Sequence, residues 1–212
     1  MSQFTELNLG GMLKVGDQYY NDGSVINFRG EKQGALVNQN AHGRYTEPAM
    51  RRTIYFNQAN AVAMSAPSTT ALGNIVWNPP NSGKLLSLNK WSIMCQVTDA
   101  NADLFQLGYS AQLTLPATTT ASTFGCTYLG VSGVTPGVAR GYAATTLEVA
   151  VTPIFNMGNI TAAIATTGED IIQGSFDGGI IVPPGTVIHI CCVAAAAAAG
   201  VTSTIWWEEI PE

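Results

Sequence analysis

The sequence predicts an all-β fold: a jelly-roll-like antiparallel β-sandwich preceded by an extended, irregular N-terminal arm. Three observations lead there. Apolar and polar residues alternate with period two in several stretches after Asn60, which places one face of each strand against a core. Gly- and Pro-rich turn signals separate these stretches at the spacing of a sandwich or barrel. No segment repeats its apolar residues at helical spacing.

Residues 1–60 form the expected arm. Gly and Asn are frequent, and apolar residues come in short bursts such as Val25-Ile26 and Leu36-Val37, with no period held for long. A stretch this long without regular patterning is unusual inside a compact domain. It reads as a segment that orders against a neighbour, or as small hairpins laid on the same domain. Residues 61–212 form the expected β-sandwich domain.

Within that domain, Gly73 to Trp77 is a short strand and Asn78 to Lys84, "NPPNSGK", a turn. In the next strand Trp91, Ile93, Cys95 and Val97 alternate with Ser92, Met94 and Gln96. Leu107, Tyr109, Ala111, Leu113 and Leu115 then alternate with Gly108, Ser110, Gln112 and Thr114, so the leucine face is the expected core face. "STFGCTYLGV" is a strand, and "ATTLEVAVTPIF" another, with Leu147, Val149 and Val151 on one face. "DIIQGSF", "GGIIV", "TVIHICCV" and "STIWWEEI" complete about eight or nine strands, the content of a jelly roll. Pro116–Thr123 and Gly158–Gly168 are expected loops.

Composition narrows the function. Apolar residues make up 46% of the 212 residues and charged residues only 11%, against roughly 25% charged in an average soluble protein. A surface built from Asn, Gln, Ser and Thr suits lateral packing against other protein. The formal net charge is −5, with 9 Lys and Arg and no basic patch, so no nucleic-acid partner is expected. Met1 to Leu13 lacks a basic leader and apolar block, so no signal peptide is expected. Ile180 to Val201 has bilayer-spanning length, but Pro183, Pro184 and Gly185 break a helix near its start; no membrane partner is expected.

Catalytic signals are sparse. Cys95, Cys126, Cys191 and Cys192 form neither CxxC nor zinc spacing; they read as small buried hydrophobes, and free thiols fit assembly in a reducing cytosol. The histidines, His42 and His189, supply no HxH arrangement with a nearby Glu, so no metal site is expected. His189 reads as a packed or interface residue. Cys191 shares its strand face and would make a dyad, yet the apolar neighbours argue for an inert core thiol. No GxSxG surrounds any serine. Glu208-Glu209 and Glu169-Asp170 diverge on strands, cannot flank one glycosidic bond, and are expected as solvated edge residues. Trp77 and Trp91 read as core. Trp206 and Trp207 point to opposite faces, so at most one of them joins a sugar-binding surface. The expectation is no catalytic residue and no cofactor: not an enzyme.

The run "VAAAAAAG", Val193 to Gly200, is too short for an isolated helix. It is expected to be extended, with small side chains admitting another backbone near a symmetry axis or under the arm.

The irregular arm, "NPPNSGK" before a strand, the late "GGIIVPPGTVIHI" hairpin and the terminal "TIWWEEIP" together resemble small structural proteins of tailed bacteriophages. The likeness is to capsid decoration (cement) proteins with a jelly-roll-like domain, and covers mainly residues 70–212. It implies a virion protein on the capsid surface, assembled in the host cytoplasm. It implies a homotrimer that binds between major capsid protein subunits and stabilises the shell. Interface residues expected on this basis are Tyr19 and Tyr20 in the arm, Arg51 and Arg52 as arm-to-shell contacts unless they pair with Glu47, and Ala194, Ala196 and Ala198 in the alanine run. The alternative is a phage head-fibre or tail-associated receptor-binding module, with recognition in the two long loops.

Overall fold

The structure, a computed structural model, describes residues 45–95, 103–129, 137–160, 170–193 and 200–212, together with four short strands nearer the N-terminus. The chain divides into two compact units, Met1–Arg44 and Tyr45–Glu212. In the first, β1 (Leu7–Asn8), β2 (Leu13–Val15), β3 (Gln18–Tyr20) and β4 (Val25–Ile26) form two antiparallel ladders, β1 with β4 and β2 with β3.

The second unit opens with a short helix, α1 (Thr46–Met50), followed by β5 (Ile54–Val62), β6 (Thr70–Asn78), β7 (Lys84–Cys95), β8 (Asp103–Ala111), β9 (Ala117–Ala121) and β10 (Thr123–Cys126). β11 (Arg140–Thr146), β12 (Thr152–Ile160), β13 (Asp170–Ser175), β14 (Ile181–Val182), β15 (Thr186–Cys192) and β16 (Val201–Pro211) complete it. Two antiparallel sheets pack as a sandwich. The first runs β10-β5-β16-β7-β13, with β14 also on β7; the second runs β12-β8-β15-β6-β11-β9.

Without β9–β11 and the short β14, the sheets reduce to β5-β16-β7-β13 and β12-β8-β15-β6. The first strand lies beside the last and the second beside the last but one, which is the jelly-roll order. The β9–β11 segment is an insertion between β8 and β12. It widens both sheets along one side, β10 adding to β5 and β11 to β6.

Residues 45–60, placed in the arm by sequence, therefore include a helix and most of a sandwich strand. β5 escapes a pattern reading because its inward positions are Tyr55, Asn57 and Ala59, all buried, and only the tyrosine is a large apolar residue. Pro116–Thr123, expected as a loop, contains β9, whose five residues are all solvent-exposed; Thr favours a strand there, but with no buried face there is no alternation. "ATTLEVAVTPIF" is two strands: β11 ends at Thr146 and β12 begins at Thr152.

Two cores result. The main one lies between the sheets and includes Tyr55, Leu88, Trp91, Phe105, Ile190 and Trp207. The second, of Ala71, Ile75, Trp77, Leu147, Val151 and Val187, lies on the opposite faces of β6 and β15. β15 is thus buried on both sides, which explains its near-continuous apolar run, interrupted by His189. The expected face of β8 is buried at Leu107, which joins the main core beside Phe105, but the second core covers the opposite face as well. Gly108, Ser110 and Gln112 are buried, and a Cβ on Gly108 would collide with Val151. Tyr109, Leu113 and Leu115 are exposed, the last two lying beyond the end of the strand.

A bulge in β7 sets the other sheet's pattern. Trp206 pairs with Lys90 but Trp207 with Leu88, leaving Asn89 as the extra residue. Leu86 and Leu88 point inward before it, and Trp91 and Ile93 after it.

Candidate functional site

The sequence-derived interface residues scatter. Tyr19 and Tyr20 sit on β3, paired with Lys14 and Leu13; their side chains lie outside the described residues. So do Ala194, Ala196 and Ala198 with the whole alanine run, His42, the side chains of Glu47 and Asp170, and Glu169. Arg51 and Arg52 are exposed in the turn after α1. The Arg52 guanidinium carbon stands 5.1 Å from the Tyr128 ring centroid, a cation–π distance, so this arginine has a local contact rather than a free head group.

The residues weighed for chemistry are buried. His189 is fully enclosed; its Nε2 is 2.8 Å from the Leu72 carbonyl and its Nδ1 has no partner. Burial lowers its pKa to about 4, against a smaller opposing effect of the Leu72 bond. Cys191 is also buried; desolvation raises its thiol pKa to about 11. Its Sγ lies 3.6 Å from the Gln106 carbonyl oxygen. A neutral imidazole near a neutral thiol, both closed to solvent, is core chemistry. Among the described residues no group of His, Cys, Asp and Glu is arranged to hold a metal ion.

Glu209 departs from the solvated-edge expectation. It is buried because β16 runs between β5 and β7 rather than at an edge. Its carboxylate accepts the backbone N–H groups of Val138 (3.0 Å) and Ala139 (3.1 Å). The same segment turns three carbonyls, of Gly137, Val138 and Ala139, toward Arg140 Nη1 at 2.8–3.0 Å. Glu208 accepts the Thr53 hydroxyl at 3.1 Å.

Two surface features remain. The first is a groove of about 580 Å³ across β16, β7 and β13, lined by Lys90, Trp91, Ser92, Gln173, Gly174, Ser175, Thr204 and Trp206. Ladder register aligns Trp206, Lys90 and Ser175 in one cross-strand row and Thr204, Ser92 and Gln173 in the next. Trp206 is 37% exposed, whereas Trp207, on the other face, is wholly buried. At the groove's end Lys90 Nζ lies 5.1 Å from the Tyr45 ring centroid, and the Tyr45 hydroxyl donates to Asp177 at 2.9 Å.

The second is an apolar rim beyond the end of β8. Leu113, Leu115 and Val149 are 67%, 70% and 51% exposed. Glu148 holds their two loops together: it accepts the Leu113 N–H at 3.0 Å and the Thr114 hydroxyl, while its own N–H donates to Gln112 Oε1 at 2.9 Å. The Thr114 hydroxyl, then the Leu113 N–H, lower the Glu148 pKa. Neither feature was assembled from sequence, because each joins residues far apart in the chain.

Comparison with known proteins finds no family model, no curated protein and no solved structure that matches this chain.

Proposed function

We propose that the protein is a viral structural protein: a capsid decoration (cement) protein that binds between major capsid protein subunits as a homotrimer and stabilises the shell from the virion surface. The observation that supports this best is the apolar rim. Three large apolar side chains stand in solvent on loops that Glu148 braces. Large exposed apolar side chains grouped in this way suit burial in a protein contact. The low charge of the chain fits the same role. A shell-bound ligand stabilises the particle by mass action.

The test combines the oligomeric state of the purified protein with co-sedimentation on expanded phage capsids. Trimers that bind and raise the capsid melting temperature are expected, and Leu113→Asp with Leu115→Asp should abolish binding without unfolding the domain. A monomer that ignores capsids would end this reading.

A further inference from the structure

We propose that the groove across β16, β7 and β13 binds a neutral oligosaccharide, with Trp206 as the stacking platform. The inference stands apart from the capsid reading, since a decoration protein needs no sugar site. Four facts lead to it. First, Trp206 is exposed on a strand whose alternate residues, Ser203, Ile205 and Trp207, are buried. Its ring is therefore a surface feature rather than an overflow of the core. Second, the ring borders a groove of about 580 Å³ instead of a flat sheet. Third, the side chains around it include hydroxyls and an amide: Ser92, Thr204 and Gln173, beside Ser175, whose hydroxyl already donates within the protein to the Asn89 carbonyl and the Asp177 carboxylate and so has only acceptor capacity left. These offer donors and acceptors together, as a ring of sugar hydroxyls requires. Fourth, the lining contains no carboxylate and one cation, Lys90, whose ammonium already faces the Tyr45 ring.

The chemistry of other occupants fits less well. A single-stranded nucleic acid also stacks on aromatic rings, but needs a cationic track for its phosphates; Lys90 alone, in a chain of net charge −5, does not provide one. A protein partner would need a broader apolar centre than one tryptophan. A pyranose presents a face of C–H groups to an aromatic ring and a rim of hydroxyls to its surroundings, and both halves are matched here. The two cross-strand rows lie about 7 Å apart along the strands, so a chain of sugars can meet the ring in one row and the amide in the next. With a single platform the affinity is weak, about millimolar.

The full chain is titrated with maltohexaose, cellohexaose, laminarihexaose, xylohexaose and chitotetraose. Tryptophan fluorescence and saturation-transfer NMR report binding. At least one probe should give a saturable response that Trp206→Ala weakens about tenfold or more. Ser92→Tyr, which fills the groove and leaves the ring in place, should abolish it. Both variants should keep the wild-type melting temperature within a few degrees, and their circular dichroism checks folding. No response to any of the five sugars overturns the proposal, as does binding that survives Trp206→Ala unchanged. A change of oligomeric state in Trp206→Ala without sugar binding identifies the face as a protein contact and overturns it equally.

Discussion

His189 and Leu72 are joined through a bulge in β6: the imidazole Nε2 lies 2.8 Å from the Leu72 carbonyl oxygen, which also accepts the Ser65 N–H at 3.1 Å. Opposite β6, Tyr142 pairs with Ile75 but Ala144 with Leu72, so β6 has one residue more than its partner here. Since a carbonyl only accepts, Nε2 carries the proton, and Nδ1 is left bare in the core. A second proton would have to sit on Nδ1 with nothing to receive it. An unfolded histidine takes that proton near pH 6.5, the folded one near 4. The unfolded state therefore binds more protons between these values. Stability is complete above pH 6.5 and falls by about 3 kcal/mol as the pH drops to 4. Urea midpoints measured from pH 7.5 to 4 should show this slope, and His189→Gln should flatten it. An unchanged slope in the variant would assign it to carboxylates instead.

Gly73 makes the bulge possible. Its φ is +127°, and an added Cβ would lie 2.8 Å from the Ile190 carbonyl oxygen. Gly73→Ala should cost about 2 kcal/mol or more. Gly83 also has positive φ, +64°, but no atom lies within 4 Å of the corresponding Cβ. Gly83→Ala thus reports the backbone penalty alone, about 1 kcal/mol. Equal losses in the two variants, read by denaturant melts, would show that the crowding at Gly73 relaxes freely.

Glu209→Gln should detach the segment at Val138 and Ala139. The carboxylate serves two N–H donors, and an amide offers one oxygen in place of two. The expected loss is about 2–3 kcal/mol, with faster hydrogen exchange at both amides. Glu208→Gln, which disturbs one half-buried bond to Thr53, is the control and should change little. Tyr55 gives a second readout: desolvation raises its pKa first and Glu209 adds to that, so its titration should move down in the variant.

Cys191 should resist thiol reagents in the native state. Its pKa of about 11 leaves almost no thiolate at neutral pH, and neither it nor Cys192 is exposed. Cys95 and Cys126, both partly exposed, should react first with Ellman's reagent, and all four only after unfolding. Rapid native labelling at Cys191, located by mass spectrometry, would overturn the inert-core reading.

Where one face of a strand meets the core and the other meets water, the sequence displays the fact. The alternation of Trp91 and Ile93 with Ser92 and Met94 survives in the structure, and so does the opposite facing of Trp206 and Trp207. Three features hide from such a reading. β5 places Asn57 in the core, where its amide donates to Asn74 Oδ1 at 2.8 Å while Asn74 donates to the Ser203 carbonyl at 2.8 Å. That exchange satisfies polar groups which, in sequence, resemble a loop. β8 has a second layer over it, so glycine and serine occupy buried positions that pattern reading assigns to solvent. Glu209 is legible only once Val138 and Ala139, some seventy residues earlier in the chain, are seen to face it. The Trp206 groove is of the same kind: its rows run across strands from three distant parts of the chain.

The place of β16 between β5 and β7 has a consequence for biosynthesis. These two inner strands leave the ribosome long before residues 201–211, and until then each lacks the neighbour that both will share. The nascent chain holds an open, incomplete sheet with Tyr55 and Trp91 uncovered, a state prone to pairing with other chains. Closure waits for residues 201–211 and links distant segments, which makes it slow. In cells crowded with copies of this protein, yield will depend on how that waiting interval is protected.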